Sequence, residues 1–486
     1  MPTELIDREA ESTELGALLD LPGPTLALLF GRRRVGKTFL LNNVWPKAGT
    51  FYFVAAETTP EINRREILDE VERQTGRPIR HEDFGSWRTL FRLLLELNDP
   101  DPTVVILDEY QYLKGGEDDV DSQLLAALEL HRNSPRSERP FVLALCGSIV
   151  REMSRLDSVN SPLHGRFKWA AHLHPFDYYD AAKMAGFSEL RDRARAYGIF
   201  GGTPSYLAAV DGSRSLAANV CRTVLSPRGE VRRLVETAIE QEQGLRKTSG
   251  YRAALVAIGR GSTTRNEIAQ RAGLTNDHGF VTMLGTLEDL GYVSSARNFA
   301  AASNQPYRYR IGDPALRFHY HFVTRFRAEL ETNAPEDVWE QYIEPQLPAY
   351  MGHVFEDMVR QGWLRHRSDA GLPMVAEWGR WEGSDRDGES VEVDVVARLT
   401  GGAMLTGAIK WNREPVSHRL HRDHLRDLER LARSGFRWAH EAREGESRLL
   451  YVAAGGFEDG FLERAEEDGF PVTAWTIEDL YPGQDE

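Results

Sequence analysis

A short glycine-containing stretch between a predicted strand and a predicted helix constrains the fold of this chain more than any other feature. It begins with the apolar run Leu26–Phe30, which predicts a buried strand. The residues that follow in the spacing G-x-x-x-x-G-K-[ST] are Gly31, Gly36, Lys37 and Thr38. Glycines let backbone N–H groups turn inward around phosphate oxygens, and a helix that begins there points its positive dipole end at the same anion. The sequence therefore predicts a P-loop on a parallel α/β sheet.

Each residue type in this loop has an expected role with ATP and Mg²⁺. Lys37 should reach the β- and γ-phosphates, and the Thr38 hydroxyl should ligate Mg²⁺. The residues expected to contact the nucleotide are Gly31, Arg32, Arg33, Arg34, Val35, Gly36, Lys37, Thr38 and Phe39. The alternative is a surface glycine–lysine turn, which the preceding apolar run and the following helical pattern disfavour.

Two further apolar runs predict buried strands that end in polar residues. Val104–Leu107 is followed by Asp108 and Glu109, a pattern typical of a Walker B strand. We expect Asp108 to hold the Mg²⁺ shell and Glu109 to polarise the attacking water, although such a run alone also fits a strand before a solvated turn. The run 140–147 ends at Ser148, the expected γ-phosphate sensor, for which a turn or helix N-cap is the alternative.

Composition limits what kind of protein this chain can be. Its 486 residues exceed what one core usually serves, so about three domains are expected. The net charge of −15 argues against a protein that coats nucleic acid, so any DNA contact requires a local basic surface. Two cysteines, Cys146 and Cys221, cannot form a disulfide framework or a metal cluster, which suits a reducing cytoplasm. No apolar run approaches the ~20 residues of a membrane span, so no membrane contact is expected.

Residues 246–325 have the opposite charge balance, with 11 Lys and Arg against 5 Asp and Glu. Three helical patterns and two short strand patterns follow one another there, which indicates a winged helix-turn-helix. Arg297, Arg308 and Arg310 would lie on the wing and contact DNA phosphates. The third predicted helix lacks Arg, Lys and Asn at its exposed positions, so base-specific recognition is not expected. The alternative is an intramolecular clamp that locks the nucleotide-binding core.

The C-terminal region alternates helix and strand patterns and resembles the core of PD-(D/E)xK nucleases. In that core a helix Glu, a strand Asp and an acid-x-Lys pair hold metal and water. Glu356, Asp394 and Lys410 match the pattern, but Ala408 stands where the second strand carboxylate should be. Losing an oxygen ligand weakens a Mg²⁺ site, so we expect a degenerate site without cleavage. Glu377, Glu392 and Glu414 could substitute, although Glu392 is expected to share the face of Asp394 without lying at the metal.

Five segments together resemble one family. They are Gly31–Thr38 with its three arginines, Asp108–Leu113, Cys146–Ser148, Ser161–Arg166 and Gly201–Leu207. Over essentially the whole chain the sequence is similar to the prokaryotic archaeal-type ATPases, of the STAND class within the AAA-like P-loop ATPases. The resemblance implies an ATPase core, a helical lid, a winged helix and a C-terminal restriction-endonuclease-like domain, and it makes a homo-oligomer plausible.

Arg166 lies in the stretch where that family places an arginine after the sensor strand. The resemblance implies that it stabilises the transferred phosphate, in cis or across an oligomer interface. The alternative is a structural ion pair.

These observations predict an α/β protein in five parts. The expected boundaries are 1–175 for the P-loop ATPase core, 176–245 for a helical lid, 246–325 for a winged helix-turn-helix, 326–349 for a linker and 350–486 for an α/β nuclease-like domain. The predicted function is an ATP-hydrolysing molecular switch that couples ATP state to DNA or protein binding. Two alternatives stay open, an ATP-dependent nuclease and a DNA-binding regulator that does not hydrolyse ATP.

Overall fold

The computed structural model describes residues 7–97, 103–115, 119–242, 245, 247–444 and 446–484. The chain divides into two compact units. The first consists of Met1–Pro175 and Ala238–Thr248, and the second of Phe176–Thr237 and Ser249–Glu486. The segment 238–248, expected at the end of the lid and the start of the next domain, is therefore packed with the first unit.

The first unit contains a five-stranded parallel sheet in the order β2-β3-β4-β1-β5. The strands are β1 Pro24–Phe30, β2 Thr50–Val54, β3 Val104–Asp108, β4 Phe141–Gly147 and β5 Phe167–His172. Three of these strands, β1, β3 and β4, correspond to the apolar runs identified in the sequence. Because β4 lies between β1 and β3, the loops that follow these three strands are neighbours at one edge of the sheet.

Helices cover both faces of this sheet. Alternate strand residues enter different hydrophobic clusters, with Leu28 and Leu107 on one face and Leu29 and Ile106 on the other. The α-helices of this unit are Glu9–Gly16, Lys37–Val44, Pro60–Thr75, Trp87–Glu96, Gln111–Lys114, Val120–Arg132, Val150–Ser154 and Ala238–Gln241. The 3₁₀ turns are Ala17–Asp20, Lys47–Gly49, His81–Phe84 and Arg155–Asp157.

The helix Trp87–Glu96 shows how local sequence sets these elements. Ser86 caps its N-terminus by accepting the backbone N–H of Thr89, and the Thr89 side chain accepts the Ser86 N–H in return. Its apolar residues recur at three- and four-residue intervals and are buried against the sheet.

The second unit begins with short helices. They are Tyr178–Ala185, Leu190–Phe200, Pro204–Leu207, Leu216–Val220 and Glu230–Glu236, with a π-helical turn at Cys221–Leu225. Three helices follow, Thr248–Gly259, Arg265–Ala272 and His278–Asp289, and then an antiparallel hairpin of β6 Val293–Ala296 and β7 Arg308–Ile311.

The segment 326–349 is not a linker. It forms the helices Arg327–Thr332 and Pro335–Val338, a π-helical turn at Trp339–Ile343 and a 3₁₀ turn at Glu344–Gln346. The side chains of Leu330, Trp339 and Ile343 are buried. The neighbouring elements are the helix Pro314–Phe318, the π-helical turn His319–Val323 and the long helix Leu347–His366. This region is packed structure because its apolar side chains recur at helical spacing.

The C-terminal sheet is mixed and has the order β12-β11-β10-β9-β8. Its strands are β8 Val375–Ser384, β9 Ser390–Leu399, β10 Met404–Lys410, β11 Arg448–Ala453 and β12 Val472–Trp475. β8, β9 and β10 pair antiparallel, whereas β10, β11 and β12 pair parallel. The helices beside it are Arg419–Arg433, Arg437–Glu441 and Phe461–Glu466, with a 3₁₀ turn at Glu478–Leu480.

None of the helices in the described ranges is long and apolar enough to cross a membrane.

Gly202 lies in close contact with the backbone of Phe176 in the second unit. A Cβ atom at this position would lie 1.8 Å from the carbonyl oxygen of Phe176, whose N–H donates to the Gly202 carbonyl at 2.8 Å. We expect Gly202→Ala to lower the free energy of unfolding by about 1–3 kcal/mol, because backbone must move to admit the methyl group. Urea denaturation followed by circular dichroism measures this change.

The control is Gly352→Ala in the helix Leu347–His366, where an added Cβ meets nothing within 4 Å. This substitution should raise stability by roughly 0.5–1 kcal/mol through helix propensity. Equal stability of the two variants would contradict the close approach at Gly202.

Candidate functional site

The predicted phosphate cradle lies between β1 and the helix Lys37–Val44. A Cβ atom on Gly31 would lie 2.3 Å from the Leu173 carbonyl oxygen, so a side chain at this position would clash. Gly36 caps the helix with a φ of 96°, a left-handed conformation that favours glycine. The Lys37 side chain is 7% exposed, and its ammonium donates to the carbonyls of Gly31 at 2.8 Å and Arg32 at 3.1 Å. The buried charge is thus held inside the loop.

Asp108 lies directly beside Thr38. The Thr38 hydroxyl donates to Asp108 Oδ2 at 3.3 Å, and the Tyr52 hydroxyl donates to the same oxygen. Asp108 Oδ1 accepts the backbone N–H of Glu109 at 2.9 Å. Burial, together with the nearby Asp108 carboxylate, raises the pKa of Tyr52 above its usual value, so this phenol stays a donor. The structure brings together the two residues expected to ligate Mg²⁺ and adds Tyr52, which the sequence analysis missed.

Glu109 and Ser148 are joined at the ends of β3 and β4. Glu109 Oε2 accepts the backbone N–H of Ser148 at 3.0 Å, the Ser148 hydroxyl at 2.8 Å and Gln111 Nε2 at 2.6 Å. The backbone of Glu109 is left-handed, with a φ of 52°. A non-glycine residue in this conformation is uncommon, and such strain clusters at functional positions. The residue expected to polarise water is therefore held by the residue expected to sense phosphate.

The remaining loop residues differ in exposure. Val35 and Arg32 are buried, while Phe39 is exposed. Arg34 has a φ of 69° and donates to the side chain of Gln241, from the segment 238–248 that packs with this unit. Sequence analysis missed Gln241, because no local motif marks it.

Arg166 does not lie at the cradle. Phe167 pairs with Leu26 near the start of β1, so Arg166 is at the amino edge of the parallel sheet, opposite the edge that carries the P-loop. Its guanidinium pairs with Glu129 at 3.1 Å, and both side chains are more than a third exposed. The structure therefore shows the surface ion pair and does not support an action of Arg166 on phosphate in cis.

The donor set at the cradle fits ATP with Mg²⁺. A buried ammonium, a helix N-terminus and a glycine-lined loop suit a triphosphate, and a hydroxyl beside a carboxylate suits a hard cation. Thr38 and Asp108 are the residues that would hold the ion.

A second candidate site is a cavity of about 250 Å³ in the C-terminal region. It is lined by Pro348, Ala349, Gly352, His353, Glu356, Glu392, Asp394, Ile409, Lys410 and Trp411. All three residues matched to the nuclease pattern, Glu356, Asp394 and Lys410, are therefore brought together. Of the three carboxylates considered as substitutes, Glu392 lines the cavity, whereas Glu377 and Glu414 are exposed elsewhere on the surface.

The groups in this cavity are paired with one another. Asp394 Oδ2 accepts the Ile409 N–H at 2.8 Å and Lys410 Nζ at 3.1 Å. Glu356 lies 3.3 Å from His353 Nδ1, and this hydrogen bond raises the pKa of His353. Within the described ranges, no group of three or more His, Cys, Asp or Glu side chains is placed to hold a metal ion. The residues present therefore do not fit the metal that the nuclease resemblance implies.

Ala408 stands at the position of the missing carboxylate, but it does not line the cavity. It is 8% exposed and packs in a hydrophobic cluster with Leu449, Tyr451 and Phe461. The strand alternation places Ala408 and Lys410 on one face, but that face is covered by apolar side chains at position 408. A carboxylate introduced there would be buried in this cluster, so it would not complete a metal site.

The hairpin β6–β7 is bound to the C-terminal region of its own unit. Arg310 pairs with Asp357 at 2.5 Å, and Arg317 pairs with the same carboxylate at 3.0 Å. The Arg297 guanidinium stacks 4.0 Å from the centre of the Tyr307 ring. Arg297 and Arg310, two of the three expected wing arginines, therefore have partners within the chain. Arg308 is exposed.

The loop of the hairpin contacts β8. The Phe299 N–H donates to the Arg380 carbonyl at 2.9 Å, and Asn298 makes two hydrogen bonds to the backbone of Glu382. The Phe299 side chain is 3% exposed in a cluster with Trp381 and Trp438. These contacts hold the hairpin against the C-terminal region of its own unit, and a clamp on the nucleotide-binding core stays a prediction.

Comparisons with known proteins agree with this architecture. Residues 5–210 match a family described as "ATPase domain predominantly from Archaea", and residues 319–424 match one described as "Archaea bacterial proteins of unknown function". An uncharacterized protein of Methanocaldococcus jannaschii is 23% identical over 382 residues, which are 77% of this chain and 81% of that protein.

Similar solved structures include two that align with a smaller share of this chain. The Walker-type ATPase of Pyrococcus abyssi is 21% identical, with a TM-score of 0.46 over 65% of this chain and 96% of that chain. The ORC2 protein of Aeropyrum pernix, solved with ADPNP and ADP, is 17% identical, with a TM-score of 0.42 over 68% of this chain and 97% of that chain.

The parallel sheet and the P-loop, together with the match over residues 5–210, indicate a P-loop ATPase domain that is similar to the archaeal type. The first match covers residues 5–210, and the second match follows at 319–424.

Ala408→Glu tests whether a carboxylate at this position could complete the second site. We expect it to lower the free energy of unfolding by about 2 kcal/mol or more, since a carboxylate enters an apolar cluster. Calorimetric titration with MnCl₂ should show no binding beyond that of the unmodified protein. Ala370→Glu, at an exposed position, is the control and should stay within about 0.5 kcal/mol. A stable Ala408→Glu protein that gains a metal site would contradict this assignment.

Proposed function

We propose that this chain is an ATP-hydrolysing switch. Its module of three helices and a hairpin binds other parts of the same chain. The observation that carries the proposal is the arrangement Lys37–Thr38–Asp108 beside Glu109–Ser148 at one edge of the sheet. The family match to an ATPase domain supports it.

In this proposal each residue at the edge acts on a different part of ATP. Lys37 leaves the carbonyls of Gly31 and Arg32 and neutralises the β- and γ-phosphates, and the loop N–H groups hold their oxygens. Mg²⁺ supplies charge stabilisation to the phosphates when it is held by Thr38 and Asp108.

Hydrolysis also needs an oriented water. Glu109 accepts a hydrogen bond from this water and increases its nucleophilicity. Ser148 donates to Glu109 and lies at the end of the adjacent strand, so it is placed to detect loss of the γ-phosphate. The change reaches the rest of the chain through Arg34 and Gln241, since the segment 238–248 is joined at both ends to the second unit.

In the second unit we propose that the three helices and the hairpin form a winged helix used as an intramolecular clamp. Asp357 holds Arg310 and Arg317, and the hairpin loop holds β8. The nuclease-like region serves as the partner of this clamp and has lost cleavage.

A second candidate function, DNA binding, is favoured by one observation. Arg265 and Arg308 are both exposed, and they are adjacent because Thr264 and Arg308 form a β-bridge. Contacts from these side chains would reach phosphates and would carry no sequence preference.

Two substitutions separate the roles at the cradle. Lys37→Ala should bind ATP at least about tenfold more weakly, because the ammonium that neutralises the phosphates is removed. Glu109→Gln should bind ATP with unchanged affinity but hydrolyse it about 10²-fold more slowly or worse. Fluorescent-nucleotide binding and single-turnover hydrolysis measure the two effects.

Arg166→Ala is the matched control, since its side chain lies at the opposite edge of the sheet. Its turnover should equal that of the unmodified protein. A loss that grows with protein concentration would instead indicate action across an oligomer interface. Equal loss of ATP affinity in Lys37→Ala and Glu109→Gln would contradict the role of Glu109.

The salt dependence of DNA binding tests the second candidate. Replacing Arg265 and Arg308 by alanine should reduce the log–log salt slope by roughly 0.9 for each phosphate of duplex DNA that the variant no longer binds. Arg310→Ala should leave the slope unchanged, because this arginine pairs with Asp357. Absence of any binding supports the clamp alone, and a reduced slope in Arg310→Ala would show that the hairpin is a DNA-binding wing.

A further inference from the structure

Arg380 on β8 contacts three carboxylates, and two of them, Glu356 and Glu392, line the cavity of the second candidate site. Its guanidinium lies 2.8 Å from Glu382, 3.1 Å from Glu392 and 3.5 Å from Glu356. Burial lowers the pKa of Arg380, but these carboxylates outweigh it and raise that pKa above its ordinary value. The guanidinium is therefore the common cation of three acidic side chains.

The other carboxylate of the cavity has its own cation. Asp394 is paired with Lys410 and also accepts the Ile409 N–H. The four carboxylates Glu356, Glu382, Glu392 and Asp394 thus each contact a positive side chain of this chain.

The position of Arg380 is fixed from a second direction. Its carbonyl accepts the N–H of Phe299, and Asn298 makes hydrogen bonds to both backbone groups of Glu382 two residues later. The hairpin loop therefore holds the strand segment that presents the guanidinium.

We propose that Arg380 takes the place of the divalent cation that a nuclease would hold here, so that the cavity excludes Mg²⁺ by means of a cation built into the chain. A guanidinium is planar, permanently charged and able to donate several hydrogen bonds to carboxylates. Mg²⁺ instead requires near-octahedral oxygens at about 2.0–2.1 Å. While the guanidinium holds them, the carboxylates are kept from gathering around a metal in that geometry. This inference is independent of the proposed ATP hydrolysis.

The proposal predicts that removal of Arg380 creates a metal site. Arg380→Met leaves the mostly buried Glu356 and the half-exposed Glu392 without the guanidinium. Neighbouring carboxylates that lose their cation recruit another cation or become protonated. Burial and the nearby acidic side chains already raise the pKa of Glu392, so the titration is made at pH ~8, well above the ordinary range of a carboxyl group.

The experiment is calorimetric titration of the full chain with MnCl₂ without nucleotide. We expect Arg380→Met to bind one additional Mn²⁺ at least about tenfold more tightly than any site of the unmodified protein, since affinity follows the number of charged oxygen ligands. Arg380→Lys, which keeps the charge, should gain no such site. Arg380→Met combined with Glu392→Gln should lose it, because one ligand is neutral.

Thermal unfolding supplies a readout that does not depend on heats of binding. The midpoint of Arg380→Met should fall, and MnCl₂ should raise it again, because a ligand of the folded state stabilises that state. MnCl₂ should not raise the midpoint of Arg380→Lys to the same extent. If Arg380→Met does not fold, the measurements are made with Arg380→Gln, which keeps amide donors without charge.

Two results would overturn the proposal. One is a folded Arg380→Met or Arg380→Gln protein that binds no additional Mn²⁺. The other is an unmodified protein that already binds Mn²⁺ at this cavity, shown by loss of that binding in Glu392→Gln.

Discussion

The carboxylate of Asp108 ties together three separate segments of the nucleotide-binding unit. Its oxygens accept hydrogen bonds from Thr38 on the helix after the P-loop, from Tyr52 on the edge strand β2 and from the backbone of Glu109. Parallel strands make this convergence possible because their carboxyl ends meet at one edge of the sheet. Once Asp108 is held in this way, the cradle on one side and Glu109 on the other have fixed positions.

Much of this unit could be predicted from the sequence, because its site residues are contiguous or end neighbouring strands. Tyr52 could not, since it reaches Asp108 through the register in which it pairs with Ile106. Gln241 meets Arg34 from 207 residues away, and no local pattern connects them. Arg166 follows the sensor strand closely in the sequence, which suggested that it lies near the phosphates. The direction of β5 instead places Arg166 at the opposite edge of the sheet.

The second unit shows where sequence patterns stop being informative. Alternation along β10 placed Ala408 on the face of Lys410, yet only the packed structure shows that Phe461 and Tyr451 cover that position. The basic composition of 246–325 suggested a surface for phosphates, but charge counts do not show that Asp357 neutralises Arg310. Arg380 carries no motif, and its importance comes from three carboxylates that lie near it in space.

The contact between the hairpin loop and β8 also bears on solubility. β8 is the outer strand of the C-terminal sheet, and an outer strand offers unpaired backbone groups to other chains. Asn298 and Phe299 occupy part of this edge and bury an aromatic ring against it. A form of the protein in which the hairpin is released would expose both a strand edge and an apolar surface. Keeping the hairpin in place therefore protects the molecule from self-association through its sheet.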